Sequence, residues 1–205
     1  MIGRKFFNRN YIENIDKLKY SISALTLKVA LKKPITNFKL VTSFSSQDPE
    51  ERFNSLLKGK VPEEIPLFIP VPSNFDANLA PKGKQLLIAG TAVPQEGFEK
   101  NQDKWIRNSL ESLQNVFPDL SENLMWYEAS TPKDINQLGG KEASVVGVSQ
   151  MINQTGNDRL SPKLPIEGLY LVGGDAGGWG IGTELAAKSA LECAEQILDQ
   201  KTFKY

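Results

Sequence analysis

The stretch GLYLVGGDAGGWGIGTELAAKSALECAEQIL, residues 168–198, decides the fold class of this chain. Its pattern predicts a short apolar strand over 169–172, a glycine-rich turn, and a long helix that begins near Thr183. The compact apolar run is typical of a strand that a parallel sheet buries on both faces. We expect the core-facing stripe of the helix to consist of Leu185, Ala186, Ala190, Cys193, Ala194, Ile197 and Leu198.

The glycine-rich turn is typical of a backbone that a ligand approaches closely. A helix start carries unpaired N–H groups and a positive partial charge, and glycines in front of it remove side chains that would block a ligand. Gly173 and Gly174 end the predicted strand, and Asp175 follows as an acceptor for sugar hydroxyls. The residues alone leave two interpretations open: a structural turn, or a site for an anionic or electron-rich ligand.

The glycine spacing matches neither of two common phosphate-binding motifs. No Gly-Lys-Ser/Thr follows the run, as a P-loop would require. Counted from Gly180 and Gly182, the third glycine of G-x-G-x-x-G is replaced by Leu185, and no second strand follows to carry a ribose-binding acid. The full sequence contains no G-x-G-x-x-G.

Composition excludes several classes of function. Lys plus Arg and Asp plus Glu both number 24, so the chain shows no basic stripe for nucleic acid. The sequence has no histidine, which excludes Ser-His and Cys-His nucleophile systems and the usual zinc sites, and we predict no metal. A single cysteine, Cys193, and the absence of a signal-peptide or membrane-span pattern predict a cytoplasmic protein.

The region before the glycine run predicts helices mixed with mostly antiparallel strands. Helices are predicted over 11–20, 48–59, 97–117 and 131–138, strands over 25–31, 38–44, 85–91 and 124–130, and a loop over 151–165. We expect 38–44 to be the antiparallel neighbour of 25–31. Three prolines restrict IPLFIPVPSNFD, residues 65–76, to an edge strand or an extended wall. Its apolar side chains would line a substrate tunnel, and otherwise they belong to the core.

Four segments of the chain resemble the phytoene desaturase and carotenoid isomerase family, in the family's order. They are YSISALTLKVALKKPI (20–35), VPSNFDANLAPKGKQLL (71–87), TPKDINQLGGKEASVVG (131–147) and PIEGLYLVGGDAGGWGIGTELAAKSALECA (165–194). Members of this family are FAD-dependent oxidoreductases related to the flavin amine oxidases. The resemblance implies an α/β fold: a substrate-type region over 1–160, then the closing strand and helix of an FAD-binding Rossmann-like domain over 161–205.

The resemblance also implies which residues meet FAD. By position, Gly173, Gly174 and Asp175 would face the ribityl and pyrophosphate region. The helix start that points at the isoalloxazine ring would be formed by Gly180, Ile181, Gly182, Thr183 and Glu184. A positive helix end would favour the anionic reduced flavin. No catalytic side chain is predicted, because the family's chemistry is centred on the flavin.

Three further residues are candidates for the substrate cavity. Trp179 would cover the flavin edge or line a substrate tunnel, and otherwise it is an aromatic on the protein's own surface. Gly139 and Gly140 would let the backbone pass close to the ring, and otherwise they are a plain helix stop.

The family's N-terminal half, which binds the ADP part of FAD, has no counterpart in this sequence. We therefore expect an N-terminal Rossmann half on a separate chain or in a missing segment, and weak or absent FAD binding by this chain alone. The implied reaction is desaturation or redox-assisted isomerisation of an apolar polyene-like substrate, with peripheral membrane contact. An amine-oxidising flavoenzyme and a non-catalytic remnant or partner-binding module remain alternatives.

Overall fold

The chain divides into two compact units. The computed structural model describes the backbone of residues 3–202 and the side chains of residues 3–198. The sheet unit comprises Ile22–Ala143, and the tail unit combines the residues up to Ser21 with those from Ser144 onward. This division does not bear on the predicted assignment of residues 161–205 to a cofactor domain, which stays a prediction.

The sheet unit is built on an antiparallel sheet. Among the described residues its strands are β1 (Ser23–Leu31), β2 (Leu40–Thr42), β3 (Phe68–Pro70), β4 (Gln85–Val93) and β5 (Leu124–Ser130), in the order β2-β3-β4-β1-β5. Burial alternates along β1, with Leu25, Leu27 and Val29 fully buried, as the sequence predicts. Each such side chain contributes roughly 1.5–3 kcal/mol of burial free energy.

Helices pack against the strands of this sheet. They are α2 (Pro49–Leu57), α3 (Pro72–Phe75), α4 (Gln102–Val116), α5 (Leu120–Asn123) and α6 (Pro132–Gly139), while α1 (Arg9–Lys17) and α7 (Gly182–Thr202) belong to the tail unit. In α4, Trp105 and Leu113 are buried in the core, and the Trp105 ring stacks on Phe98 at 6.3 Å between centroids. The predicted helix over 97–117 is confirmed, although it begins only at Gln102, after a 3-10 turn.

Two predictions about the sheet are wrong. β2 is not the neighbour of β1, because β3 and β4 lie between them. Of the two alternatives predicted for residues 65–76, only the edge strand is wrong: β3 pairs with β2 from Leu40–Pro70 to Thr42–Phe68, and with β4 through the single pair Phe68–Gly90. Prolines lack the N–H that a ladder needs, so the segment stays extended but pairs only briefly on its second side.

The predicted strand over 169–172 is also wrong. Tyr170 forms an isolated antiparallel bridge with Lys163, and neighbouring Ala176 forms an isolated parallel bridge with Leu160. Val172 is exposed, so the predicted burial on both faces is absent as well. A strand inside a parallel sheet needs a ladder on each side. The described residues supply only single bridges, and the apolar run therefore stays irregular.

The long C-terminal helix is confirmed, but its predicted core stripe is only half right. Leu185, Ser189 and Cys193 are buried, and Ala186 and Ile197 are half-buried. The other predicted core residues, Ala190, Ala194 and Leu198, are exposed. Together with two further exposed residues they form the open stripe of α7, defined as Ala187, Ala190, Leu191, Ala194 and Leu198.

The open stripe lies on the side of α7 opposite to its packed side. At 100° per residue, its members fall between about 140° and 240° from Leu185 around the helix axis. Leu191 is 65% exposed and Leu198 is 61% exposed. The stripe therefore presents alanines flanked by leucines, all of them exposed.

The connecting segment is confirmed as irregular. Residues 151–165 contain no helix or strand apart from a 3-10 turn at Gly156–Asp158.

None of the helices in the described residues is both long and apolar enough to span a bilayer.

Candidate functional site

Three glycines of the run are closely approached by other residues of the tail unit. A side-chain Cβ would lie 3.1 Å from Ser189 Cα at Gly177, 3.2 Å from Glu192 Oε1 at Gly178, and 3.2 Å from the Leu185 nitrogen at Gly180. These distances are shorter than ordinary van der Waals contact. At these positions the structural-turn interpretation is sufficient.

Three other glycines face open space. A Cβ at Gly173 or Gly182 would have no atom within 4 Å, and at Gly174 the nearest atom is the Val146 oxygen at 4.0 Å. Internal packing therefore gives no reason for these residues to lack a side chain. Gly173 and Gly182 have φ of 135° and 56°, which favours glycine for backbone reasons, whereas Gly174 has no such constraint.

The start of α7 is exposed as well. Residues 181–184 are all exposed, and Ile181 is an apolar side chain at the helix entrance. The first turn of a helix leaves amides without an intrahelical acceptor, and its end carries roughly half a positive charge. The Glu184 carboxylate pairs with Lys188 at 2.9 Å, which offsets its own negative charge at this end. The surface can thus stabilise an electron-rich ligand by about 0.3–1 kcal/mol.

Asp175 is held from within the tail unit. Its Oδ1 accepts a hydrogen bond of 2.8 Å from the Val148 N–H. Gly147, with φ of 76°, leaves the space for this carboxylate. Part of the acceptor capacity that the sequence assigns to a sugar hydroxyl is therefore already used.

Arg159 braces the same loop, and sequence reasoning missed it. Its Nη1 donates 2.8 Å to the Gly174 carbonyl, while Nε and Nη2 have no hydrogen-bond partner within the described part of the chain. Burial lowers the pKa of the Arg159 guanidinium, and the charge of Asp175 opposes that shift. The residue lies in an irregular, polar stretch, where no pattern distinguishes a buried arginine from a surface one.

Trp179 rests on a glycine and is otherwise open. A Cβ at Gly156, whose φ is 58°, would lie 2.6 Å from Trp179 Cζ2, so the indole needs glycine beneath it. The Trp179 side chain is nevertheless 64% exposed. The indole is fixed by one edge and free to contact a ligand with the rest of its surface.

Gly139 and Gly140 belong to the sheet unit and end α6, as the helix-stop interpretation predicts. The Gly140 N–H bonds to the Asn136 carbonyl at 2.9 Å, and a Cβ added to either glycine would have no atom within 4 Å. Lys141, Glu142 and Ala143 then adopt left-handed backbone, with φ between 53° and 62°. Each left-handed non-glycine residue costs roughly 1–2 kcal/mol, so this turn is strained.

Known proteins that are similar to this chain agree with the predicted resemblance. No protein-family model matches the chain. The chain is 31% identical to the all-trans-retinol 13,14-reductase of Rattus norvegicus, over 86% of this chain and 32% of that protein. It is 26% identical to the zeta-carotene-forming phytoene desaturase of Myxococcus xanthus, over 77% of this chain and 32% of that protein. The chain thus spans about a third of the length of these curated relatives.

A solved structure supports the fold. The crystal structure of an oxidoreductase from Methanosarcina mazei matches 95% of this chain and 38% of its own, with a TM-score of 0.60 and 18% sequence identity. The mixed α/β architecture is therefore found as part of a larger protein. By sequence, the chain is a distant relative of the retinol reductase and phytoene desaturase oxidoreductases, as the resemblance predicts.

Proposed function

We propose that this chain forms one wall of the flavin site in an FAD-dependent oxidoreductase that acts on an apolar polyene-like substrate. The observations that carry the proposal are the open space at Gly173 and Gly174 and the exposed start of α7. These glycines leave room for a ligand where internal packing does not require them. The similarity to proteins named for retinol and phytoene supports the class of substrate.

The residues present fit a flavin. Gly173, Gly174 and Asp175 would lie along the ribityl and pyrophosphate region. The ring would meet the first turn of α7, from Ile181 to Glu184, where exposed amides and a positive end favour the negative charge of a reduced flavin. When bound, FAD supplies hydride acceptance from a C–H bond of the substrate.

Trp179 of the tail unit and, separately, Gly139 and Gly140 of the sheet unit are the proposed substrate contacts. Trp179 offers an exposed indole beside the glycine run, and Gly139 and Gly140 offer backbone without side chains. A cytoplasmic location with peripheral membrane contact belongs to the same proposal, because an apolar polyene partitions into a bilayer.

The proposed partner is a dinucleotide-binding Rossmann half, on a separate chain or on another segment of the same protein. The open stripe of α7 supports it, because small residues flanked by leucines suit close packing of a helix on a sheet. The irregular 169–172 run supports it too, since this apolar segment has no ladder within the described residues. Both features fit a Rossmann sheet that this chain completes.

Co-expression tests the proposal. The chain is produced with an adjacent-gene product that bears G-x-G-x-x-G, and the purified material is assayed for association, bound flavin and turnover of a polyene. Association with flavin and turnover is the expected result. Turnover of amines in place of polyenes would reassign the substrate to the amine-oxidase class, and no association would favour the non-catalytic remnant.

A further inference from the structure

The sheet unit contains a cavity that lies wholly within residues 22–143. Its volume is about 410 Å³, inside the range of about 300–1,000 Å³ typical of small-molecule sites. The cavity lies between α2, the extended segment around β3, and the second half of β4. Its lining is mainly proline, phenylalanine and aliphatic side chains.

Backbone polar groups in the cavity wall form hydrogen bonds with side chains of the sheet unit. The Ile65 N–H donates to Ser112 Oγ at 2.9 Å, and the Leu67 N–H donates to Ser43 Oγ at 3.0 Å. The Pro62 carbonyl accepts from Asn108 at 2.6 Å. A hydrocarbon chain inside the cavity would therefore leave these groups satisfied, which avoids the cost of burying unpaired polar atoms.

The mouth of the cavity is aromatic and exposed. Phe44, Phe53 and Phe68 all line it, and each keeps more than half of its surface in solvent, with Phe44 at 78%. Grouped exposed apolar side chains around a concave opening are typical of a ligand or interaction site. An apolar ligand that entered here would cover them.

Arg52 is the one formally charged residue among the described residues of the lining. It is half-buried, and its guanidinium forms no ion pair or hydrogen bond with any described residue. The nearby Asp48 carboxylate is engaged instead by the amides of Glu50 and Glu51, as the cap of α2. A guanidinium binds a carboxylate through two parallel hydrogen bonds, and Arg52 is available for that geometry.

We propose that this cavity binds an elongated apolar molecule that ends in a carboxylate, of the fatty-acid class. The hydrocarbon chain lies in the cavity between the phenylalanines and prolines, and the carboxylate pairs with Arg52. A monoanion fits better than a phosphate group, because Arg52 brings a single positive charge and Glu50 and Glu51 lie on the same helix. The site goes beyond the proposed flavin chemistry and needs neither cofactor nor partner.

The test is calorimetric titration of the full chain with dodecanoate, below its critical micelle concentration, and with dodecanol, below its aqueous solubility limit. We expect dodecanoate to bind at least ten-fold more tightly than the alcohol. Arg52→Gln should abolish that difference, while Arg107→Gln, an exposed arginine outside the cavity, should preserve it. Gly90→Val should weaken both ligands, because Gly90 lines the cavity and its backbone tolerates a side chain, with the nearest atom 3.9 Å from the new Cβ.

Equal affinity for acid and alcohol, or binding unchanged in Arg52→Gln and Gly90→Val, would overturn the proposal. Absence of saturable binding would do so too. The assay contains no flavin, so its failure leaves the flavin proposal intact. Circular dichroism of each variant checks that it is folded.

Discussion

The carboxylate of Asp175 occupies the space that a side chain at Gly147 would need. A Cβ at Gly147 would overlap Asp175 Oδ1 and lie 2.9 Å from Asp175 Cγ, and the same Oδ1 accepts a hydrogen bond from the next residue, Val148. Arg159 fixes the neighbouring carbonyl of Gly174. The base of the glycine run is therefore tied to the 144–148 segment by specific contacts, while its upper surface stays open.

Gly147→Ala should destabilise the chain. The methyl group would displace Asp175, and φ of 76° is strained for alanine, so we expect the free energy of unfolding to fall by about 1–3 kcal/mol. Urea unfolding followed by circular dichroism measures it. Gly174→Ala is the matched control, because its Cβ has room and its backbone is unconstrained. Equal stability of the two variants would contradict the Asp175–Gly147 relationship.

Asp134 should make the cap of α6 sensitive to acid. Hydrogen bonds from the Thr131 N–H and hydroxyl hold the pKa of the Asp134 carboxyl below its ordinary value. A lowered pKa means that the cap contributes stability above about pH 4 and loses it as the pH falls through the folded-state pKa. Asp134→Asn should cost roughly 0.5–1 kcal/mol at neutral pH, because Asp134 is only half-buried and solvent screens its charge.

The measurement for Asp134 is urea unfolding at a series of pH values. The stability difference between the natural chain and Asp134→Asn should shrink below about pH 4. Asp119→Asn is the control, because the Asp119 carboxylate forms no hydrogen bond with the described residues. A difference that is constant with pH would rule out the proposed role of the charge.

Leu191 should matter for assembly and not for the stability of this chain alone. It lies on the open stripe of α7 and is 65% exposed, so Leu191→Gln should change the free energy of unfolding by less than about 0.5 kcal/mol. Burial of a leucine contributes about 1.5–3 kcal/mol, which predicts at least ten-fold weaker association with a Rossmann half. Leu138→Gln, at a leucine 92% exposed in α6, is the control. Equal association of both variants would exclude the stripe as the interface.

Cys193 should be protected from thiol reagents in the folded chain. It lies on the packed side of α7 and is only 6% exposed, in agreement with its sequence-based interpretation as a small buried residue. We expect labelling to be at least about ten-fold slower than in the urea-unfolded chain. Similar rates in both states would show that α7 is not packed as described.

Local patterns predicted the elements whose signals lie in neighbouring residues. The alternation in β1 and the starts of α2 and α6, predicted at residues 48 and 131, all depend on residues within a few positions. Which strands pair depends instead on contacts between residues far apart in the sequence. The sequence could not show that β2 joins β3, because any apolar strand of similar length competes for the same neighbour.

The sequence predicted the position of the candidate site but not the contacts that hold its backbone in place. The glycine run and the start of α7 stand out as a motif, whereas the contacts of Asp175 and Arg159 join residues 15 to 27 positions apart in irregular backbone. The prediction of a strand over 169–172 was wrong because an apolar run becomes a strand only when neighbours supply a ladder. The same absence of neighbours left half of the predicted α7 stripe exposed.

The most direct test of the flavin site is the molar ratio of flavin to protein in the co-expressed complex, compared between Gly174→Val and Gly90→Val. Both residues tolerate a side chain within the chain itself, with nearest atoms at 4.0 Å and 3.9 Å from the new Cβ. Only Gly174 belongs to the proposed flavin surface. We expect Gly174→Val to lose bound flavin and Gly90→Val to retain it. Full flavin occupancy in Gly174→Val would contradict the assignment of the glycine run to the cofactor.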